Sequence, residues 1–252
     1  MPPRDLSKDL VRLLKELKLG KLIPTLPERL RLARERGMDP EDLLTVLLSD
    51  EVQRRNNNRV TQRAGKARLA PSMVFDAWDA GARITYDRDL LDRLRLLRFV
   101  EEHHHVLIMG PVGVGKTMLA HAFGHLAIRR GFSVHCESAD KLFQRLKGCR
   151  LDGTHAAELR RLIAVDLLIL DDFALRAMDP METADMYELV TARHRTASIV
   201  VTSNRDPSEW LPLLADPLLA QALVDRFANN AYDLVIEGES YRKHQKPRAA
   251  AG

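Results

Sequence analysis

Residues 110 to 117 read Gly-Pro-Val-Gly-Val-Gly-Lys-Thr, a spacing that fits G-x-x-x-x-G-K-[ST]. The chemistry of such a loop is polyphosphate binding. Gly110, Gly113 and Gly115 let the main chain approach phosphate oxygens without a Cβ in the way, and Pro111, Val112 and Val114 complete the cradle. Lys116 has the charge and reach for the β- and γ-phosphates of ATP, and the Thr117 hydroxyl is a ligand for Mg2+. The flanks are those the chemistry needs. The apolar run Val106-Leu107-Ile108-Met109 precedes the loop, and a helix-like stretch from Met118 to Arg130 follows it. A helix N-terminus there, with Met118 beside the loop, points backbone N–H groups and the positive end of its dipole at one spot.

A second acidic element suits the same chemistry. Val165-Asp166-Leu167-Leu168-Ile169-Leu170-Asp171-Asp172 reads as a buried parallel strand ending in two carboxylates. At the end of a core strand beside the phosphate loop, Asp171 is suited to holding the magnesium through water, and Asp172 to orienting the attacking water.

The elements that position these groups follow from the patterning. Ser7 caps a helix bearing Leu10, Leu13, Leu14 and Leu17, with Gly20 as its stop. A second helix runs from near Pro27 to about Arg36, and Asp39-Pro40-Glu41-Asp42 is a start signal for a third. We therefore expect a small all-α N-terminal domain over residues 1–70, with a linker near Ala70-Pro71-Ser72. From Val74 onward strands and helices alternate. The expected helices lie at 89–101, 139–148, 154–163 and 182–195, and the strands at 132–136 and 198–204. Alternation of this kind implies an α/β fold with a doubly wound parallel sheet and ligands at the carboxyl ends of its strands. The main domain is expected over 71–245 and a disordered tail over 246–252.

Composition narrows the setting. The 252 residues suffice for a nucleotide-binding domain and a smaller module. Two cysteines, Cys136 and Cys149, are too few for a disulfide framework or a C-x-x-C zinc site, which favours a reducing compartment. The opening Met-Pro-Pro-Arg-Asp has no apolar stretch, and no run approaches the ~20 residues of a membrane span. A cytoplasmic protein without a membrane partner is expected. His103-His104-His105 reads as a polar lead-in to the strand before the loop.

The net charge of +4 is modest but unevenly spread. Arg54, Arg55, Arg59, Arg63, Lys66 and Arg68 fall between Val52 and Ala70 with no acid among them. Arg55, Arg59 and Arg63 recur at i, i+4 and share one helical face. Asn56, Asn57, Asn58 and Gln62 add neutral donors. This pattern points to the backbone of double-stranded DNA. If all six cations met phosphates, log affinity against log salt would slope at roughly −5. Lys141 and Arg145, with Arg150, form a second basic candidate surface.

The motifs GPVGVGKT, LLILDD and VVTSN, the pair Asp225-Arg226 and Gly238-Glu-Ser-Tyr-Arg242 occur in one order and spacing. Together they resemble the IstB-type transposition helper ATPases, relatives of the DnaC-type helicase loaders in the AAA+ superfamily. The resemblance extends over about residues 70 to 245, and the N-terminal stretch is similar in its short helices and Arg-rich third helix. It implies a P-loop AAA+ fold without a separate C-terminal lid domain. It further implies an ATPase with ATP and Mg2+ as cofactors, and double-stranded DNA, a transposase and further copies of the chain as partners. By the same resemblance Asn204 takes the first sensor position. Arg226 is an arginine finger given to a neighbouring subunit's nucleotide, and Arg242 a second-sensor arginine at the ATP. Asp172 departs from the superfamily pattern, in which glutamate is usual.

The implied activity is ATP-dependent oligomerisation on target duplex DNA, recruitment or activation of a transposase, and hydrolysis that controls disassembly. A replicative helicase loader of the DnaC type shares the motor and remains the alternative. A small-molecule kinase would require an acceptor-binding domain and lid, for which the chain offers no candidate, and would leave Arg226 and the basic helix without a role.

Overall fold

The computed structural model describes residues 6–78 and 84–240, so Arg242 and the expected tail lie outside the described residues. The chain divides into two compact units between Gln62 and Arg63.

The first unit is helical. Helix α1 (Lys8–Glu16) starts where Ser7 accepts from the Leu10 N–H at 3.2 Å, and it ends at Leu17, before Gly20. Helix α2 covers Leu26–Glu35, with proline in its first turn as the sequence predicts. Helix α3 covers Pro40–Lys66. Asp39 accepts from the Glu41 N–H at 2.8 Å at its start, and its last turn belongs to the second unit.

In the second unit a two-residue strand β1 (Ile84–Thr85) is followed by α4 (Arg88–Arg95) and α5 (Arg98–Glu101). The sequence predicts one helix over this stretch. The break comes at Leu97, which has φ 58° and no exposed surface. Burying Leu97 in the core holds it in a conformation that ends a helix. Then come β2 (His105–Met109), α6 (Lys116–Arg129), β3 (Val134–Ser138), α7 (Ala139–Leu151) and α8 (His155–Ala164). They are followed by β4 (Leu167–Phe173), α9 (Pro180–Arg193) and β5 (Ser198–Ser203). Last are α10 (Pro217–Asn230), β6 (Ala231–Val235) and β7 (Glu237–Gly238).

The main sheet has five parallel strands in the order β3-β4-β5-β2-β6. Its central strands are apolar along their length because helices cover both faces. Leu107, Met109, Leu168, Leu170, Ile199 and Val201 pack on one face against residues of α7, α8, α9 and α10. On the other face α6 lies so close that a Cβ on Gly124 would sit 2.9 Å from Ile169 Cδ1. β6 was not foreseen in the sequence, and it shows why: only Leu234 of its five residues is buried, so its apolar signal is weak. β1 and β7 pair separately as an antiparallel ribbon.

His105 belongs to β2 itself rather than to a lead-in. It has no exposed surface, and Nδ1 accepts from the Ile199 N–H at 3.1 Å. Burial, with the nearby Arg193 charge, pushes its pKa down to about 3, so it is neutral at physiological pH. No described helix is long and apolar enough to cross a membrane.

Candidate nucleotide site

β2 is flanked by β5 on one side and β6 on the other, and the phosphate loop leaves from its carboxyl end. This is the switch point at which open α/β sheets bind ligands. The loop's glycines are needed for shape. Gly110 has φ 143°, and a Cβ there would collide with the Ile236 carbonyl. Gly115 has φ 99°, and a Cβ would sit 2.6 Å from the Trp78 ring. Gly115 also caps α6, so the helix N-terminus opens directly onto the loop.

Four of the expected side chains meet here. Lys116, buried, donates from Nζ to the carbonyls of Gly110 and Pro111 at 2.8 Å each and to Asn204 Oδ1 at 2.5 Å. Thr117 Oγ1 donates to Asp171 Oδ1 at 2.9 Å. Asp171 is half-buried and Asp172 exposed. β4 places both acids at the same end of the sheet as the loop, and β5 delivers Asn204 one residue beyond its last. Arrangement and residue types suit a triphosphate: a positive donor, a helix N-terminus and a hydroxyl–carboxylate pair within a few ångströms.

Two nearby residues were not read from the sequence as site groups. Thr202 donates from Oγ1 to Asp171 Oδ1 at 2.6 Å. Its only sequence signal was the polar end of the strand VVTSN. Ser240, which follows β7, lies where a Cβ on Gly113 would strike it. Its only sequence signal was its place in the run Gly238-Glu-Ser-Tyr-Arg242.

Arg226 stands apart from this constellation. On α10 it donates to the Ala222 carbonyl at 2.8 Å, and its guanidinium lies 5.2 Å from the Tyr187 ring centre. It makes no ion pair with Asp225 among the described residues; Asp225 instead accepts from Asn229 at 2.8 Å.

The basic residues are spent unequally. In the first unit Arg54 and Arg55 both bind buried Glu51, at 2.7 Å each. The Arg54 hydrogen bond, against burial and aided by Arg55, holds that carboxyl near 2. Arg59 is exposed and unpaired among the described residues. In the second unit Arg63 donates to the carbonyls of Gly131 and Phe132, the latter at 2.5 Å. Arg68 pairs with Glu137, and Arg145 pairs with Glu137 and Glu158. Lys66 and Lys141 are exposed and unpaired among the described residues. The free cations are thus fewer than the sequence count.

The sequence model of the IstB-like ATP binding protein family matches residues 12–249. The chain belongs to this family. Relatives agree over nearly its whole length. An insertion-sequence ATP-binding protein of Mycobacterium tuberculosis is 33% identical over 235 residues, covering 93% of this chain and 94% of the relative. The IS21 ATP-binding protein of Pseudomonas aeruginosa is 31% identical, covering 94% and 89%. Among solved structures, the replication initiator DnaA bound to AMPPCP and single-stranded DNA matches with TM-score 0.55 and 25% identity. That match covers 68% of this chain and 51% of DnaA, so this chain spans about half the length of DnaA. The DnaC helicase loader shares the fold with TM-score 0.55 and 20% identity, over 66% of this chain and 97% of that one. This IstB-like chain is therefore an ATP-binding P-loop ATPase with the AAA+ fold.

Proposed function

We propose that this chain is the ATP-driven, DNA-binding helper of an insertion sequence. It joins with copies of itself on target duplex DNA, recruits or activates a transposase, and uses hydrolysis to disassemble. The observation that carries the motor part is the convergence of Lys116, Thr117, Asp171 and Asn204 at one end of the sheet. Insertion-sequence relatives that match over 93% and 94% of this chain favour this reading over a helicase loader. The likeness to DnaA, named as bound to AMPPCP and single-stranded DNA, supports nucleotide-dependent work on nucleic acid. A cytoplasmic location accords with it.

In this reading Lys116 exchanges its loop carbonyls for β- and γ-phosphate oxygens, which bind an ammonium more strongly because they are charged. The N–H groups at the start of α6 receive the remaining phosphate charge. Mg2+ fits the Thr117 hydroxyl and Asp171 carboxylate, a hard oxygen pair already in contact, and when bound it neutralises charge on the phosphates. Asp172 orients the attacking water, and Asn204 senses the γ-phosphate. Arg226, which makes no ion pair among the described residues, is given to the neighbouring subunit, where its guanidinium offsets charge on the transferred group. Arg242 is assigned to ATP as a second-sensor arginine. Arg59 and Lys66, with Arg54, Arg55, Arg63 and Arg68 as they exchange partners, grip the DNA backbone, and Lys141 and Arg145 are a second contact. The helical domain over 1–70 carries the grip, and 71–245 the motor.

The test is ATP turnover of the purified protein with and without duplex DNA. We expect turnover to rise severalfold with DNA. A rate indifferent to DNA would separate this protein from the proposed role.

A further inference from the structure

The end of β4 is irregular. Leu170 pairs with Val201 and Phe173 with Ser203, so Asp171 and Asp172 together stand against one residue of β5, Thr202. This two-against-one arrangement is a β-bulge, which interrupts the ladder and bends the strand. Asp172 has φ 56°, in the left-handed region that a non-glycine residue adopts only when its surroundings hold it there. The group that holds it is a side chain. The Asp172 N–H donates to Thr202 Oγ1 at 2.9 Å. That hydroxyl gives its one proton to Asp171 Oδ1 at 2.6 Å, the same oxygen that receives Thr117.

We propose that Thr202 is a positioning residue for ATP hydrolysis: its hydroxyl fixes the Asp171 carboxylate and the bulge that presents Asp172. This rests on the roles assigned above to the two acids. Thr202 is fully buried, so neither bond has water to replace it. The β-branch restricts its χ1 rotamers, which keeps the hydroxyl aimed. The neighbouring Ser203 hydroxyl is already engaged, donating to the Phe173 carbonyl at 3.0 Å and accepting from Trp210 Nε1 at 3.2 Å.

The experiment compares wild type with Thr202→Val, Thr202→Ala and Thr202→Ser in steady-state ATPase, fluorescent-ATP binding and thermal melting. Asp171→Asn and Asp172→Asn are measured alongside. Expected are a kcat for Thr202→Val lower by about 10- to 100-fold, as for loss of a bond to a charged group, and an ATP Kd within about threefold of wild type. Thr202→Ser should recover to within about threefold of wild-type kcat. Unchanged kcat in Thr202→Val overturns the proposal. So does ATP affinity falling in step with kcat, or a serine that does not recover. Should Thr202→Val not fold, Thr202→Ala reads the same hydroxyl, and loss of folding in both makes the role purely structural and also overturns it. Full activity in both Asp→Asn variants would instead remove the assignment of the acids themselves.

Discussion

Lys116 Nζ lies 2.5 Å from Asn204 Oδ1, which joins the start of the phosphate-loop helix to the tip of the neighbouring strand. In the proposed function the lysine is the phosphate ligand, which couples Asn204 to whatever occupies the loop. Removing the amide should affect the step in which phosphate charge changes more than binding. Asn204→Ala is expected to lower kcat about 10- to 100-fold, with ATP Kd within about fivefold. Steady-state turnover and equilibrium nucleotide binding on the same preparation check it.

Among the described residues Arg226 rests on Ala222 and Tyr187 rather than on an acid. The proposed donation to a neighbouring subunit makes complementation possible. Arg226→Ala should bind ATP and lose about 10³-fold in turnover. Lys116→Ala should be inactive for want of nucleotide. Mixing them should restore measurable turnover, because one supplies the intact loop and the other the arginine. A mixture no more active than its components would contradict donation between subunits, and unchanged turnover in Arg226→Ala would place the arginine outside catalysis.

Much of the site was legible in the sequence because it is local. The loop Gly110–Thr117 carries its own geometry, and Asp171 follows the apolar run Leu167–Leu170 of β4, whose burial the pattern shows. The five-stranded sheet followed from strand–helix alternation, apart from β6, whose one buried residue gives no periodic signal. What could not be read depends on distant residues meeting. Thr202 reaches Asp171 across 31 positions, and the role proposed for it depends on the bulge in β4. Likewise Arg68 and Arg145 looked like surface cations until the fold brought Glu137 between them.

Those pairings change the expected DNA contact. Arg59 and Lys66 are the exposed, unpaired cations of the Arg-rich stretch among the described residues. Each of Arg59→Ala and Lys66→Ala should weaken duplex binding similarly across sequences and reduce the magnitude of the salt slope by about 1. A salt titration of fluorescence anisotropy measures it. A slope unchanged in both variants would move the interface elsewhere.

Glu137 supplies an acid-sensitive element. Burial raises its pKa, but hydrogen bonds from His135 and Arg145 and the charges of Arg145 and Arg68 outweigh this and hold it near 2, below its usual 4.5. A depressed carboxyl contributes stability that is full above its unfolded value and is lost as pH falls through the folded one. Stability should therefore decline between about pH 4.5 and 2. Glu137→Gln should cost about 2 kcal/mol at pH 7, since it leaves Arg145 without its nearly buried partner, and should flatten that decline. Urea unfolding at a series of pH values measures both.

The central claim is that ATP held in the Gly110–Thr117 loop makes the protomers join on duplex DNA. Sedimentation velocity of wild type and Lys116→Ala, each with duplex DNA and with or without ATP, addresses it directly. The account predicts a large, ATP-dependent increase in sedimentation coefficient for wild type and none for Lys116→Ala. Equal sedimentation of the two proteins on DNA in the presence of ATP would contradict it.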